Sequence, residues 1–273
     1  VLANGRLSER SARGYQRIRS LVRPMLSGLS AVAAQHRDDG ARFIALGLPE
    51  AALQVTGNIK FDLNLSPAVR SHAAALADQW RGNSGRQILL AASTHHGEDE
   101  IILAAFAQIK KQVSNLLLVL VPRHPERFDQ VARLCTDAGF SLARRSGNDS
   151  LTETDILLGD SMGELTAFFG ACDIAFVGGS LVPTGGHNMI EAAAWNVPVL
   201  TGPHLFNFTE VSQLLLANGA MRLCETEQQL VDQSLELLGN QQQRDAMGRA
   251  AGRVVEANRG ALEKLVVIIA GLI

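Results

Sequence analysis

The densest set of groups able to do chemistry lies between Gly178 and Glu191, GGSLVPTGGHNMIE. An apolar run, Asp173-Ile174-Ala175-Phe176-Val177, leads in, and a small-residue helix, Ile190 to Ala194, leads out. Between them lie four glycines, Ser180, Thr184, His187 and Asn188. A strand that ends in glycines and opens into a helix gathers backbone N–H groups and the positive end of a helix dipole at one point. Such a point suits an anion, most often a phosphate. His187 and Glu191 are four apart and share a face if both are helical. The competing reading is a glycine-rich turn that only joins strand to helix.

Three more strand ends carry unusual polar residues. In Ala92-Ser93-Thr94-His95-His96-Gly97-Glu98, Ser93 and Thr94 suit either a helix cap or a ligand contact, and Glu98 could close a capping box from Thr94 or His95. In Val121-Pro122-Arg123-His124-Pro125-Glu126-Arg127, prolines stiffen a turn that offers the planar fork of Arg123 to a phosphate or carboxylate, unless Glu126 takes it. In Gly159-Asp160-Ser161-Met162-Gly163-Glu164-Leu165, Asp160 or Ser161 caps a helix whose first amides could meet a phosphate. Asn188 could cap or bind, and Glu191 is placed to accept hydrogen bonds from sugar hydroxyls. His204 follows a further strand and could line the same crevice.

The elements that must position these groups read as strand–helix alternation. Apolar strands at Gln87–Ala92, Leu116–Val121, Ile156–Leu158, Ile174–Val177 and Val197–Leu200 are separated by helical patterns at Arg127–Ala138, Gly163–Phe169, Met189–Ala194 and Thr209–Ala217. This predicts a parallel sheet covered on both faces, with ligands beyond the carboxyl ends of its strands. Upstream, strands at residues 1–4 and 53–56, an apolar run at 29–34 and helices at 12–27 and 37–46 make part of a second doubly wound sheet. The predicted organisation is residues 1–57 as the trailing part of one domain, a linker at 58–66, and a second domain at 67–273 ending in a packing helix at 259–273. Because the chain opens at Val1-Leu2-Ala3 as if in mid-strand, more of the first domain is expected upstream.

Composition narrows the classes. Of 273 residues, 47% are hydrophobic and 19% charged, enough for a packed core. A net charge of −2 gives no global field favouring nucleic acid. Cys135, Cys172 and Cys224 are far apart and read as small buried apolar residues of a reducing compartment. No run approaches the roughly 18 apolar residues of a membrane span. Arg6, Arg10, Arg13, Arg17, Arg19 and Arg23, against Glu9 alone, make a basic amphipathic segment that suits an anionic lipid surface or substrate, or is simply a solvated face. A Walker lysine loop, a GxGxxG fingerprint, a GxSxG elbow, HExxH spacing and paired cysteines are all missing, so a zinc site is not expected. A cleft for a phosphorylated, hydroxyl-rich ligand remains.

Eight motifs in order resemble a known family: Asn4-Gly5-Arg6-Leu7-Ser8, Val55 to Asp62, Ser93-Thr94-His95, Pro122 to Phe128, Gly159 to Leu165, Phe176 to Ser180, Gly185-Gly186-His187-Asn188 and Gly202-Pro203-His204. Together they look like the 3-deoxy-D-manno-octulosonic acid (Kdo) transferases of Gram-negative bacteria. Gly5 and Met189 stand where alanine and proline are usual in that family.

The resemblance implies a GT-B glycosyltransferase, here one complete Rossmann-like C-terminal domain plus the trailing part of the N-terminal one. It implies transfer of Kdo from CMP-Kdo to the lipid A precursor at the cytoplasmic face of the inner membrane. Because helix dipoles can do part of what a metal does elsewhere, no metal and no cofactor are expected. It implies CMP contacts from Pro122, Arg123, Gly163, Glu164, Leu165, Asn188, Met189, Ile190 and Glu191, with Arg123 stabilising the leaving group. Ser93, Thr94 and His187 are further donor-site candidates, and Arg13 and Arg17 face the acceptor or the membrane. The family's general-base glutamate matches no position here, so the chain alone is expected to be inactive. The alternatives are a GT-B enzyme using a UDP-sugar and a nucleotide-sugar-binding module without activity of its own.

Overall fold

An uninterrupted apolar strand such as Leu116–Pro122 needs cover on both faces, and the chain is organised to supply it. A computed structural model describes residues 1–147 and 149–272. The chain divides into two units, residues 1–64 with the chain from Val255 onward, and Leu65–Val254.

The first unit is a three-stranded parallel sheet, order β1 (Leu2–Gly5), β2 (Val32–Ala34), β3 (Leu53–Val55). The stretch expected as one helix at 12–27 is two, α1 (Glu9–Gln16) and α2 (Arg19–Ser27), broken at Arg17-Ile18. Gly14 and Pro24 both weaken a continuous helix. Helix α3 (Arg37–Leu46) stops at Gly47, whose φ of 114° is left-handed. Val22, Leu26, Phe43 and Leu46 form the core on one face of the sheet with Val32.

The larger unit carries a seven-stranded, wholly parallel sheet, with α4 (Pro67–Arg81) leading in. In chain order follow β4 (Gln87–Thr94), α5 (Glu98–Gln112), β5 (Leu116–Pro122), α6 (Phe128–Asp137), β6 (Leu142–Arg144), β7 (Ile156–Leu158) and α7 (Leu165–Ala171). Then come β8 (Ile174–Val177), α8 (Ile190–Ala194), β9 (Val199–Thr201), α9 (Thr209–Ala217), β10 (Met221–Leu223), α10 (Glu227–Gly239) and α11 (Gln241–Ala257). The spatial order β10-β9-β8-β4-β5-β7-β6 reverses direction between β4 and β8, which pair with Ala92 opposite Val177. The carboxyl ends of those two strands flank the crevice where such sheets bind ligands.

The expected domain limits need correction. Residues 58–66 are not a free linker: Ile59–Asp62 forms a 3-10 turn around buried Phe61. Nor does the tail belong to the second domain. Helix α12 (Ala261–Ala270) returns to the first unit, where Asp62 accepts hydrogen bonds from the N–H groups of Gly260 and Leu262 at 2.6 and 2.7 Å. Leu265 and Ile268 cover Ala31 and Ala33, closing the second face of the small sheet. Ile273, the last residue of that expected segment, lies outside the described residues.

Candidate functional site

The loops after β4, β5, β7 and β8 open on one cavity of about 280 Å³. Its polar lining includes Ser93, Arg123, Ser161, His187, Asn188 and Glu191. Four strand ends, the first at Thr94 and the last at Val177, therefore meet at one place.

The glycine stretch does not work as its sequence suggests. The N–H groups of Gly179, Ser180 and Leu181 do converge on an anion, but the anion is the protein's own Glu98. The Glu98 carboxylate accepts from Gly179 at 2.6 Å, Ser180 at 2.8 Å, Leu181 at 2.8 Å and His95 at 2.9 Å. It is fully buried in the first turn of α5, a favourable place for negative charge. The phosphate expected at these amides is thus displaced by an internal clamp, and Glu98 is more than the capping-box partner read from sequence. Only glycine fits at 178, because a Cβ there would lie 2.8 Å from the Ser93 carbonyl oxygen.

The next residue, Asp99, holds the loop after β5. It is buried, accepts from the Thr94 hydroxyl at 2.6 Å and forms an ion pair with Arg127. The Arg127 guanidinium also donates to the Thr94 carbonyl at 3.0 Å. Burial raises the Asp99 carboxyl above its ordinary range, opposed by the Thr94 and Arg127 hydrogen bonds. Thr94 is fully buried, donates its hydroxyl to Asp99 and is not among the residues lining the cavity. Ser93 does line the cavity. It sits at a bulge between β4 and β5 with φ of 58°, a strained geometry for a non-glycine residue that turns it off the strand.

Arg123 lines the cavity and makes no ion pair among the described residues. Glu126, its expected competitor, lies 3.9 Å from His124 instead. Neither Asp160 nor Ser161 caps α7. Asp160 accepts from the Ser146 N–H and hydroxyl at 2.8 and 2.7 Å, Ser161 donates to Glu164, and the helix starts two residues later than expected. Asn188 accepts from the Ile190 N–H at 3.2 Å and donates to Glu191 at 3.1 Å, while Thr166 donates to the other Glu191 oxygen at 2.9 Å. His187 lies in the loop before α8, so it does not share a helix face with Glu191. His204 uses its N–H on the Ser180 carbonyl and does not line the cavity; Phe208 does. Among the described residues no cluster of three histidine, cysteine or acidic side chains could hold a metal ion.

Comparison with known proteins agrees with this geometry. A family model described as 3-deoxy-D-manno-octulosonic-acid transferase matches residues 1–63. The chain is 45% identical to the 3-deoxy-D-manno-octulosonic acid transferase of Haemophilus influenzae, over 97% of its own length and 62% of that protein's. The solved C-terminal CMP-Kdo binding domain of WaaA from Acinetobacter baumannii is 36% identical, with a TM-score of 0.66 over 70% of this chain and 99% of that one. The chain belongs to the Kdo transferase family. A more distant neighbour, WaaG, a glycosyltransferase involved in lipopolysaccharide biosynthesis, shares the fold at 15% identity and a TM-score of 0.54 over 97% of this chain. The fold is α/β of the GT-B glycosyltransferase type, as expected.

Within this member of the Kdo transferase family, the positions expected to contact CMP are distributed unevenly. Pro122, Arg123, Gly163, Leu165, Asn188 and Glu191 line the cavity. Met189 and Ile190 have fully buried side chains, so only their backbone could reach a ligand. The Glu164 carboxylate is occupied by Arg145 at 2.7 Å and His72 at 3.0 Å, with Ser161 as a third donor. Burial would raise that carboxyl, but hydrogen bonds from Arg145, Ser161 and His72 outweigh it and hold Glu164 at about 2. A larger cavity, of about 450 Å³, lies near Arg81 and Arg86, but Arg81 is paired with Asp173 and Arg86 donates to the carbonyls of Trp80 and Thr154.

Proposed function

We propose that this chain carries the donor-binding part of a glycosyltransferase that moves Kdo from CMP-Kdo onto the lipid A precursor, lipid IVA, in lipopolysaccharide core biosynthesis. One observation carries the reading. Arg123, without an ion-pair partner among the described residues, faces the same cavity as the opening turns of α7 and α8, in a unit similar to a solved CMP-Kdo binding domain.

Cleaving the bond from the sugar to CMP leaves negative charge on the phosphate and positive character on the anomeric carbon. Arg123 and the amides at Gly163 to Leu165 stabilise the departing phosphate. Asn188 and Glu191 hold the nucleotide's hydroxyls. The acceptor hydroxyl gives its proton to a general base. Calorimetric titration tests the donor-site reading. CMP is expected to bind more tightly than UMP, and Arg123→Ala to weaken CMP roughly ten- to a hundredfold, since a hydrogen bond to a charged group contributes about 1.5–3 kcal/mol. The same affinity is expected in EDTA. Tighter UMP binding would favour a UDP-sugar enzyme, and loss of binding in EDTA would contradict the metal-free site.

We also propose that the first unit meets the cytoplasmic face of the inner membrane. Of the apolar residues between 15 and 26, Val22 and Leu26 are in the core, whereas Leu21 and Met25 are 72% and 61% exposed on the same helix as Arg19 and Arg23. Exposed apolar groups among arginines suit an anionic bilayer surface. Among the described residues no helix is long and apolar enough to cross a membrane. Arg13→Glu with Arg17→Glu should abolish sedimentation with anionic liposomes; unchanged sedimentation would remove the proposal.

A further inference from the structure

His95, after β4, and His187, in the glycine loop after β8, meet at the point where the strand order of the large sheet reverses. Their Nε2 atoms are 2.7 Å apart, their ring planes differ by 10°, and their centroids are 5.0 Å apart. With the nitrogens so much closer than the centroids, the rings are joined edge to edge, not laid face over face. A hydrogen bond between two imidazole nitrogens needs a proton on one and a lone pair on the other. The neutral pair meets that condition. So does the pair with one added proton, which sits on the Nδ1 of the donor ring. A second added proton would leave two donors facing each other and break the bond. The pair is therefore built to take up one proton without changing shape.

The rings are held in place. The His95 N–H is fixed by Glu98, and the stretch before His187 turns through Gly179, where a Cβ would lie 2.8 Å from the His187 ring. The groups facing the pair are Glu98, Arg123, Arg127 and His124, the last with its ring edge-to-face on His95 at 5.3 Å. The Glu98 charge is already spent on four amides, and Asp99 takes the Arg127 guanidinium. Burial and the positive neighbours push His187 down to about 4; burial also lowers His95, against the pull of Glu98, so the pair is neutral at pH 7. An anion placed against it reverses the balance.

Resting on the donor-site reading above, we propose that the His95–His187 pair receives the carboxylate of the donor sugar and takes up one proton from solvent as that carboxylate binds. The donor sugar is itself an acid, so CMP-Kdo brings two anionic groups into one cavity. Arg123 and the starts of α7 and α8 serve the phosphate. Besides Arg123, His187 is the basic side chain that lines the cavity, with His95 bonded behind it, and the pair becomes a cation only for an acidic sugar. A sugar bearing only hydroxyls would leave it neutral, and selectivity for sugar acids follows.

Calorimetry at pH 7 in two buffers of different ionisation enthalpy measures the protons taken up on binding. CMP-Kdo is expected to take up about one proton more than CMP does, and the excess is expected to vanish in His187→Asn. Equal uptake for CMP and CMP-Kdo, whether nil or the same non-zero value, would overturn the proposal, because the pair would then ignore the sugar or answer to the phosphate. This comparison needs only the unaltered protein, so a variant that failed to fold would not obscure it. Absence of CMP binding would instead refute the donor-site reading itself.

Discussion

Replacing Glu98 with glutamine should loosen the turn on which the cavity is built. The side chain keeps its length, but one acceptor oxygen becomes an NH2 donor. Oε2 now takes the N–H groups of Gly179 and His95, and Oε1 those of Ser180 and Leu181. Whichever way the amide settles, two N–H groups lose their acceptor and face another donor. Each buried donor left unsatisfied costs about 1–3 kcal/mol, so the variant should lose roughly 2–6 kcal/mol of unfolding free energy. That is a large part of the roughly 5–15 kcal/mol that a domain has in total. Urea unfolding monitored by circular dichroism measures the loss as a lower midpoint at an unchanged slope. Hydrogen exchange gives a local check, with faster exchange expected at Gly179 to Leu181. A loss below about 1 kcal/mol, with those amides still protected, would refute the clamp.

Asp99→Ala should cost about 3 kcal/mol, because it strands the largely buried Arg127 charge; double-mutant analysis with Arg127→Met should recover part of it. The Glu164 carboxyl, held at about 2 in the fold against an ordinary 4.5, stabilises the protein above the unfolded value, and that contribution is lost as pH falls from about 4.5 towards 2. Glu164→Gln should therefore flatten the pH dependence of the unfolding midpoint across that window, and an unchanged profile would contradict the assignment.

The parts of the structure legible in the sequence are those where one local pattern decides the outcome. Ile156–Leu158 and Ile174–Val177 are short apolar runs between turn residues, and both are strands with those limits. Helix α3 is bounded by His36 and Gly47. Strands β6 and β10 escaped notice because they lie at the two edges of the sheet, where half-buried residues such as Arg144 and Arg222 blur the apolar signal. The return of α12 to the first unit is a tertiary fact, carried by Asp62 reaching residues almost 200 positions away.

The candidate site divides in the same way. Arg123, Asn188 and Glu191 were recognisable by type and place, and all three line the cavity. The role of Glu98 was not, because its donors at Gly179 to Leu181 lie 81 to 83 residues along the chain. Within its own helix it reads as an ordinary acidic residue of a first turn. Only the pairing of β4 with β8 shows that the apparent phosphate nest is already filled. One signal was available: two adjacent acids, Glu98 and Asp99, open a helix at a strand end rich in polar residues.

The most direct test of the account is the position of the phosphate in a crystal structure of this chain with CMP. The account predicts a phosphate within hydrogen-bonding distance of Arg123 and of amides at Gly163 to Leu165, with Glu98 still bound to the glycine turn. A phosphate lying on the amides of Gly179 to Leu181, with the Glu98 side chain displaced, would contradict it.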